Sequence, residues 1–242
     1  MRKRLIDKVS VVTGASRGIG RAISIGLAGE GATVILAARS MEKLEETAKL
    51  VKKVGGRAEI LPVELTDQGS IRGLVNGISE KFGRLDILIN NAGLTHSAKL
   101  EETQTEDWDR LFKVNVRAPF ILCRELMGLL RKPDRSYIIN IASVVGVKGY
   151  PLQSAYTASK HALRGMTISL AEELRDSGIR VHLICPGGVD TEMVTRVRPD
   201  IKKDELIRAE EIAELVVYLV THKGNAVIDE LHIRRASSSP WF

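Results

Sequence analysis

Cysteine is nearly absent. Two in 242 residues, Cys123 and Cys185, build neither a disulfide framework nor a CxxC metal knuckle, and both read as reduced core thiols. Aromatics make up 4% of the chain, too few for an extended base-stacking surface. With seven prolines and no Pro/Gly/Ser-rich tract there is no linker, so residues 1–242 are expected to form one domain. No apolar run approaches the ~18 residues of a membrane span. The start, MRKRLIDKVSVVTG, lacks a small-residue cleavage site and reads as a first strand. A cytoplasmic protein with no membrane contact is expected. The five histidines show no ligand spacing, so no metal is expected either.

What is present is an ordinary globular balance, 44% hydrophobic and 27% charged. Thirty-six Lys+Arg against thirty Asp+Glu leave a net charge of +6 and a pI near 9.4. That excess suits an anionic partner. The basic blocks (Arg2–Arg4, Lys49–Arg57, Arg131–Arg135, Arg234–Arg235) are short and interrupted, which argues against nucleic acid and for a phosphate-bearing cofactor.

Apolar β-branched runs alternate with amphipathic stretches along the whole chain. Strands are predicted at 9–13, 33–38, 58–63, 87–90, 137–142, 180–184 and 227–233. Helices are predicted at 19–28, 41–54, 70–82, 108–130, 155–176 and 210–220. Strands apolar nearly throughout, such as VILAA and DILIN, suit a parallel sheet covered on both faces. The fold class is therefore α/β, a Rossmann-like doubly wound sheet of about seven strands with right-handed crossovers. The final SSSPWF reads as a loose tail.

The first strand runs into Gly14-Ala15-Ser16-Arg17-Gly18-Ile19-Gly20 and then a helix, a Gly-x3-Gly-x-Gly spacing. Glycines here permit a sharp turn, and the helix N-terminus offers free N–H groups to a pyrophosphate. NAD-binding folds carry an acid at the end of strand two for the ribose 2′-hydroxyl. Here that strand ends Ala38-Arg39-Ser40. Arg39 and Arg17 are either solvated surface charges or the forks that hold a 2′-phosphate; the missing acid favours the second reading and NADP(H).

Tyr156 and Lys160 are four residues apart on one helix face. A nearby ammonium stabilises a phenolate and lowers the tyrosine pKa, which makes the hydroxyl a usable acid/base. Thirteen residues upstream, Ser143 ends strand five. It either donates to a substrate oxygen in the same crevice or caps a turn.

In their order, TGASRGIG at 13–20, Asn90-Asn91-Ala92-Gly93, Asn115, Ser143, Tyr156, Lys160 and Pro186-Gly187 resemble the short-chain dehydrogenase/reductase family over nearly the whole chain. The resemblance implies Tyr156 as general acid/base, and Lys160 as ribose ligand and depressor of the tyrosine pKa. It implies Ser143 as the group orienting the substrate oxygen and Asn115 as anchor of a relay water. It places Gly14, Ser16, Arg17, Gly18, Ile19 and Gly20 at the phosphates, and Glu64 and Leu65 at the adenine. Asn90, Asn91, Ala92 and Gly93 would line the adenosine side, with Pro186, Gly187, Val189 and Thr191 at the carboxamide. The implied activity is NADPH-dependent reduction of a small-molecule ketone or aldehyde, or the reverse, by a homodimer or homotetramer. A 3-oxoacyl-acyl-carrier-protein or acyl-CoA reductase is the narrower alternative. It is weakened by a short lid at 192–208 without a Gly-Arg-x-Gly turn, and the last strand lacks the family's Gly-Gly pair. A basic nucleic-acid-binding or dinucleotide-sensing protein is the non-enzyme alternative.

Overall fold

The computed structural model describes residues 3–198 and 200–240. Seven parallel strands form one sheet in the order β3-β2-β1-β4-β5-β6-β7: β1 Val9–Thr13, β2 Thr33–Ala37, β3 Arg57–Ile60, β4 Ile87–Asn90, β5 Ser136–Ile141, β6 Ile179–Pro186 and β7 Glu230–Ile233. The class predicted from the alternation is the one observed. Its last strand is shorter than the predicted 227–233 and begins only at Glu230.

Helices cover both faces. On one side α1 (Gly18–Gly29), α2 (Met41–Lys53) and α8 (Ala209–Thr221) bury Ile23, Leu27, Leu44, Ile212 and Val216 against the sheet. On the other, α3 (Gln68–Phe82), α5 (Ala118–Leu130) and α6 (Ser154–Glu173) bring Ile71, Leu74, Leu122, Leu126 and Leu163 to it. These are the apolar stripes of amphipathic helices, and their burial is the main term holding the layers together. Among the described residues no helix is long and apolar enough to cross a membrane.

Local chemistry sets the boundaries. Asp67 caps α3 by accepting from Gly69 N at 2.9 Å and Ser70 N at 3.3 Å, which starts that helix earlier than its apolar period indicates. The predicted single helix 108–130 is α4 (Thr105–Phe112), one π-helical turn over Lys113–Arg117, and then α5. Pro119 has no N–H for the carbonyl four residues back, so the α-helical ladder cannot pass Asn115 unbroken. The strand order reverses between β1 and β4, and the crevice above their carboxyl ends is where such sheets take ligands.

Candidate active site

A cleft of about 1490 Å³ runs over the carboxyl edge of the sheet, from Arg39 and Ser40 to Arg234 and Arg235. A volume above the 300–1,000 Å³ common for one small molecule leaves room for a dinucleotide and a second ligand. Its floor is the glycine loop. Gly14 (φ +67°) and Gly18 (φ +53°) take left-handed backbone, which a side chain disfavours. Gly20 is required by packing instead: a Cβ there would lie 2.3 Å from Gly14 O. Asn91 locks the loop to β4 by donating from Nδ2 to Thr13 O at 2.8 Å. Thr13 Oγ1 accepts from the N–H groups of Asn91 and Ala92 at 3.0 and 3.1 Å. The loop's shape is thus set by the protein itself. Arg17, the extended residue before α1, places no side-chain oxygen on the first-turn N–H groups. Ser16, Gly18 and Ile19 line the cleft beside them. This is a cradle a phosphate fits, anion against helix N-terminus.

At the β2 end, the arginines are not free. Arg39 Nη1 lies 3.6 Å from Glu64 Oε2. Glu64 also accepts from Thr66 N and Oγ1, both at 2.9 Å. Burial pulls its carboxyl pKa upward, but the Thr66 bonds and Arg39 hold it below the usual range. Arg17 pairs with Glu192, the first residue of α7 (Glu192–Val197), and Lys43 Nζ stands 4.0 Å from the same carboxylate. Neither Lys43 nor Glu192 is singled out by the sequence, because no local pattern links 17, 43 and 192. Leu65 forms an apolar wall beside Glu64.

At the other end, Ser143 stands two residues past β5 and caps a turn, one of the two readings foreseen for it. Its Oγ accepts from Val145 N at 3.4 Å, capping a short turn, and Ser143 faces Tyr156 closely enough to lower that phenol's pKa. Lys160, 3% exposed, donates to Ile141 O at 3.0 Å, with Nζ 6.0 Å from the centre of the Tyr156 ring. Burial pushes Tyr156 up to about 12, against the lowering by Ser143. Burial pushes Lys160 down to about 8. Desolvation of the phenolate is the larger influence on Tyr156, and the Lys160 ammonium bonds a backbone carbonyl.

One predicted residue, Asn90, lies elsewhere than expected, and a second, Asn115, is held by the backbone of Leu94. Asn90 does not line the cleft. It is buried and donates from Nδ2 to Asn140 Oδ1 at 2.9 Å, across the β4–β5 pairing, with Cys123 of α5 at 3.5 Å. Strand alternation turns it to the helix side, and the residues after it, Asn91, Ala92 and Gly93, form the wall. Asn115 is fully buried. Its Oδ1 accepts from Leu94 N at 2.8 Å, and its Nδ2 donates to Leu94 O at 2.9 Å and Ser159 Oγ at 3.0 Å. It still adjoins the lysine: a Cβ on Gly93 would lie 3.4 Å from Asn115 Oδ1 and 3.5 Å from Lys160 Nζ.

Pro186 and Gly187 close the catalytic end, with Gly187 N donating to Ile233 O at 2.7 Å. Val189 is bridged to Ile207, and Thr191 Oγ1 caps α7 by accepting from Val194 N at 3.4 Å. A Cβ on Gly18 would touch Thr191 Cγ2 at 2.9 Å, so the two segments meet across the cleft. The tail lies against the cleft as far as Ser239, and Trp241 and Phe242 of SSSPWF lie outside the described residues. Arg234, Arg235, Ser238 and Ser239 line the cleft, and Arg235 Nη1 and Ser237 Oγ reach Glu205 Oε2 at 3.3 and 3.1 Å. Polar composition hid this, since only tertiary contacts order the segment.

Residues 8–202 match the short chain dehydrogenase family. A 3beta-hydroxysteroid dehydrogenase of Mediterraneibacter gnavus is 38% identical over 200 residues, 82% of this chain and 72% of that protein. A 3-oxoacyl-acyl-carrier-protein reductase of Thermotoga maritima is 34% identical over 236 residues, 94% of this chain and 96% of the relative. The crystal structure of a metagenomic short-chain oxidoreductase in complex with NADP superposes with a TM-score of 0.85 at 35% identity, covering 97% of this chain and 100% of the other. The chain belongs to the short-chain dehydrogenase/reductase family of oxidoreductases, which bind a nicotinamide dinucleotide.

Proposed function

We propose that this chain is an NADP(H)-dependent reductase that converts a small-molecule ketone or aldehyde to its alcohol, or the reverse. The observation that carries the reading is the meeting of Ser143, Tyr156 and Lys160 in one cleft whose far end holds Arg17, Arg39 and Lys43. When bound, the nicotinamide supplies or takes the hydride. The chain's own groups do the rest. Ser143 orients the reacting oxygen, and Tyr156 gives its phenolic proton to the developing alkoxide. Lys160 holds the ribose and, released from Ile141 O, lowers the cost of the Tyr156 phenolate. Asn115, against Gly93 and Lys160, fixes the lysine's surroundings. Arg39 and Arg17 take the 2′-phosphate, and Gly14 to Gly20 with Asn91–Gly93 hold the pyrophosphate and adenosine. Pro186, Gly187, Val189 and Thr191 hold the carboxamide.

Exposed Trp108, Phe120 and Ile168 on α4, α5 and α6 support a homo-oligomer as part of the same proposal. The test is NADPH consumption with a panel of ketones and aldehydes, run against NADH. Turnover with at least one carbonyl compound, faster with NADPH, is expected. No turnover with any compound, in a protein that binds NADPH, would sink the reading.

A further inference from the structure

The carboxyl ends of β6 and β7 hold a polar cluster that the proposed reduction does not use. Register builds it. Cys185 pairs with His232 and Leu183 with Glu230, and residues two apart on a strand share a face. Cys185 Sγ lies 3.5 Å from Glu230 Oε1, and His232 Nε2 lies 2.6 Å from the same oxygen. One ligand atom from each residue falls within 4.8 Å of the other two. Behind them, Arg164 of α6 reaches the carboxylate with Nε at 2.8 Å from Oε1 and Nη2 at 2.9 Å from Oε2. Oε1 is thus surrounded by three donors, more than its two lone pairs serve with good geometry.

We propose that Cys185, Glu230 and His232 form a binding site for a zinc-class divalent cation, with Arg164 as the outer partner that orients Glu230. Thiolate, imidazole and carboxylate are the zinc donor set, and three protein ligands leave a fourth tetrahedral position for water. A thiolate beside an imidazole selects against magnesium and calcium, which prefer all-oxygen shells. The cation replaces the two protons that the thiol and the imidazole now direct at Oε1, and so relieves the crowding there. The step balances: the S–H bond breaks as a sulfur–metal bond forms and that proton leaves to solvent, while the imidazole's Nε2 proton is exchanged through solvent to Nδ1 as the Nε2 lone pair binds the metal. Access is from the solvent side of the last strand, where the side chains of Glu230 and His232 are 20% and 34% exposed. Two β-strands fix the backbone of all three ligands. In the sequence Cys185 and Glu230 stand 45 positions apart, which is why no ligand spacing is visible there.

The experiment is Co²⁺ titration of the tag-free, chelator-treated full chain, followed by Zn²⁺ competition. One Co²⁺ per chain is expected, with a thiolate charge-transfer band and intense tetrahedral d–d bands that Zn²⁺ abolishes. Cys185→Ser should remove the charge-transfer band. The accessible substitution His232→Ala should leave the fold intact, judged by its circular dichroism and melting temperature. It should weaken Co²⁺ by ~10-fold or more, at least what loss of an outer-shell partner costs. A wild type without the band would overturn the proposal. So would a band that survives Cys185→Ser, which would place the metal on Cys123, or unchanged affinity in His232→Ala.

Discussion

The two ends of the cleft handle charge in opposite ways. At the β2 end the side chains of Arg17 and Arg39 are 51% and 60% exposed, and each is masked by a carboxylate, Glu192 or Glu64. At the β5 end Lys160 and Tyr156 lie deep, and burial moves both toward their neutral forms, one down and one up. An exposed ion pair is worth little and exchanges readily, so the first end suits an anion that arrives and leaves. A buried pair of groups pushed toward their neutral forms suits a proton held until a reaction demands it. The contrast teaches that charges on the cofactor end should tune affinity, and desolvation on the catalytic end should tune rate.

The largest effect should come from the buried end. Tyr156→Phe keeps the ring but removes the proton donor, so kcat should fall ~10²–10⁴-fold while NADPH binding, followed by fluorescence, persists. Near wild-type turnover would move the proton to another group. Next is Arg39→Ala. A charge-assisted hydrogen bond contributes ~1.5–3 kcal/mol, and this arginine is well exposed, so the lower figure applies. The NADPH-over-NADH preference in kcat/KM should shrink by about tenfold, through the NADPH term alone. An equal loss for NADH would make Arg39 a structural residue.

The third prediction sets pH against burial. Lys160 sits near 8 rather than near 10.5, so its ammonium is present below about 8 and lost above it. The kcat/KM for NADPH should fall as pH rises through about 8, and Lys160→Met should flatten that limb. The linked stability effect has the opposite sense. Between about 8 and 10.5 the unfolded chain binds more protons at this position, so its contribution makes the fold more stable as pH rises and is constant below 8. A denaturant midpoint that responds identically in wild type and Lys160→Met would contradict it. The smallest effect belongs to Glu192. Its carboxylate occupies Arg17 and approaches Lys43, so Glu192→Gln should tighten NADP(H) by roughly 1.4- to fivefold, the ~0.2–1 kcal/mol of an exposed pair. NADH should be untouched, and added salt should erase the difference. A weaker NADPH complex would show that Glu192 supports the site rather than competing in it.

Periodicity and spacing indicated the α/β class, the glycine loop and Arg39 at the end of β2, and the family resemblance added the Ser143, Tyr156 and Lys160 set. Each is a local pattern: a period, a turn chemistry, or a residue at a strand's end, where topology puts ligands. What tertiary structure decided involves residues far apart in the chain. It turned Asn90 toward α5, because a one-residue step along a strand reverses the face. It broke the long helix at Asn115, because Pro119 denies the ladder one hydrogen bond. It laid the tail along the cleft through Glu205, and set Glu192 against Arg17. It also brought Cys185, Glu230 and His232 to one spot, through the register of two parallel strands. Local sequence carries propensity and chemistry. Which charges neutralise one another, and which groups lose water, is decided only when distant segments pack, and those two quantities set the affinities and pKa values on which the site depends.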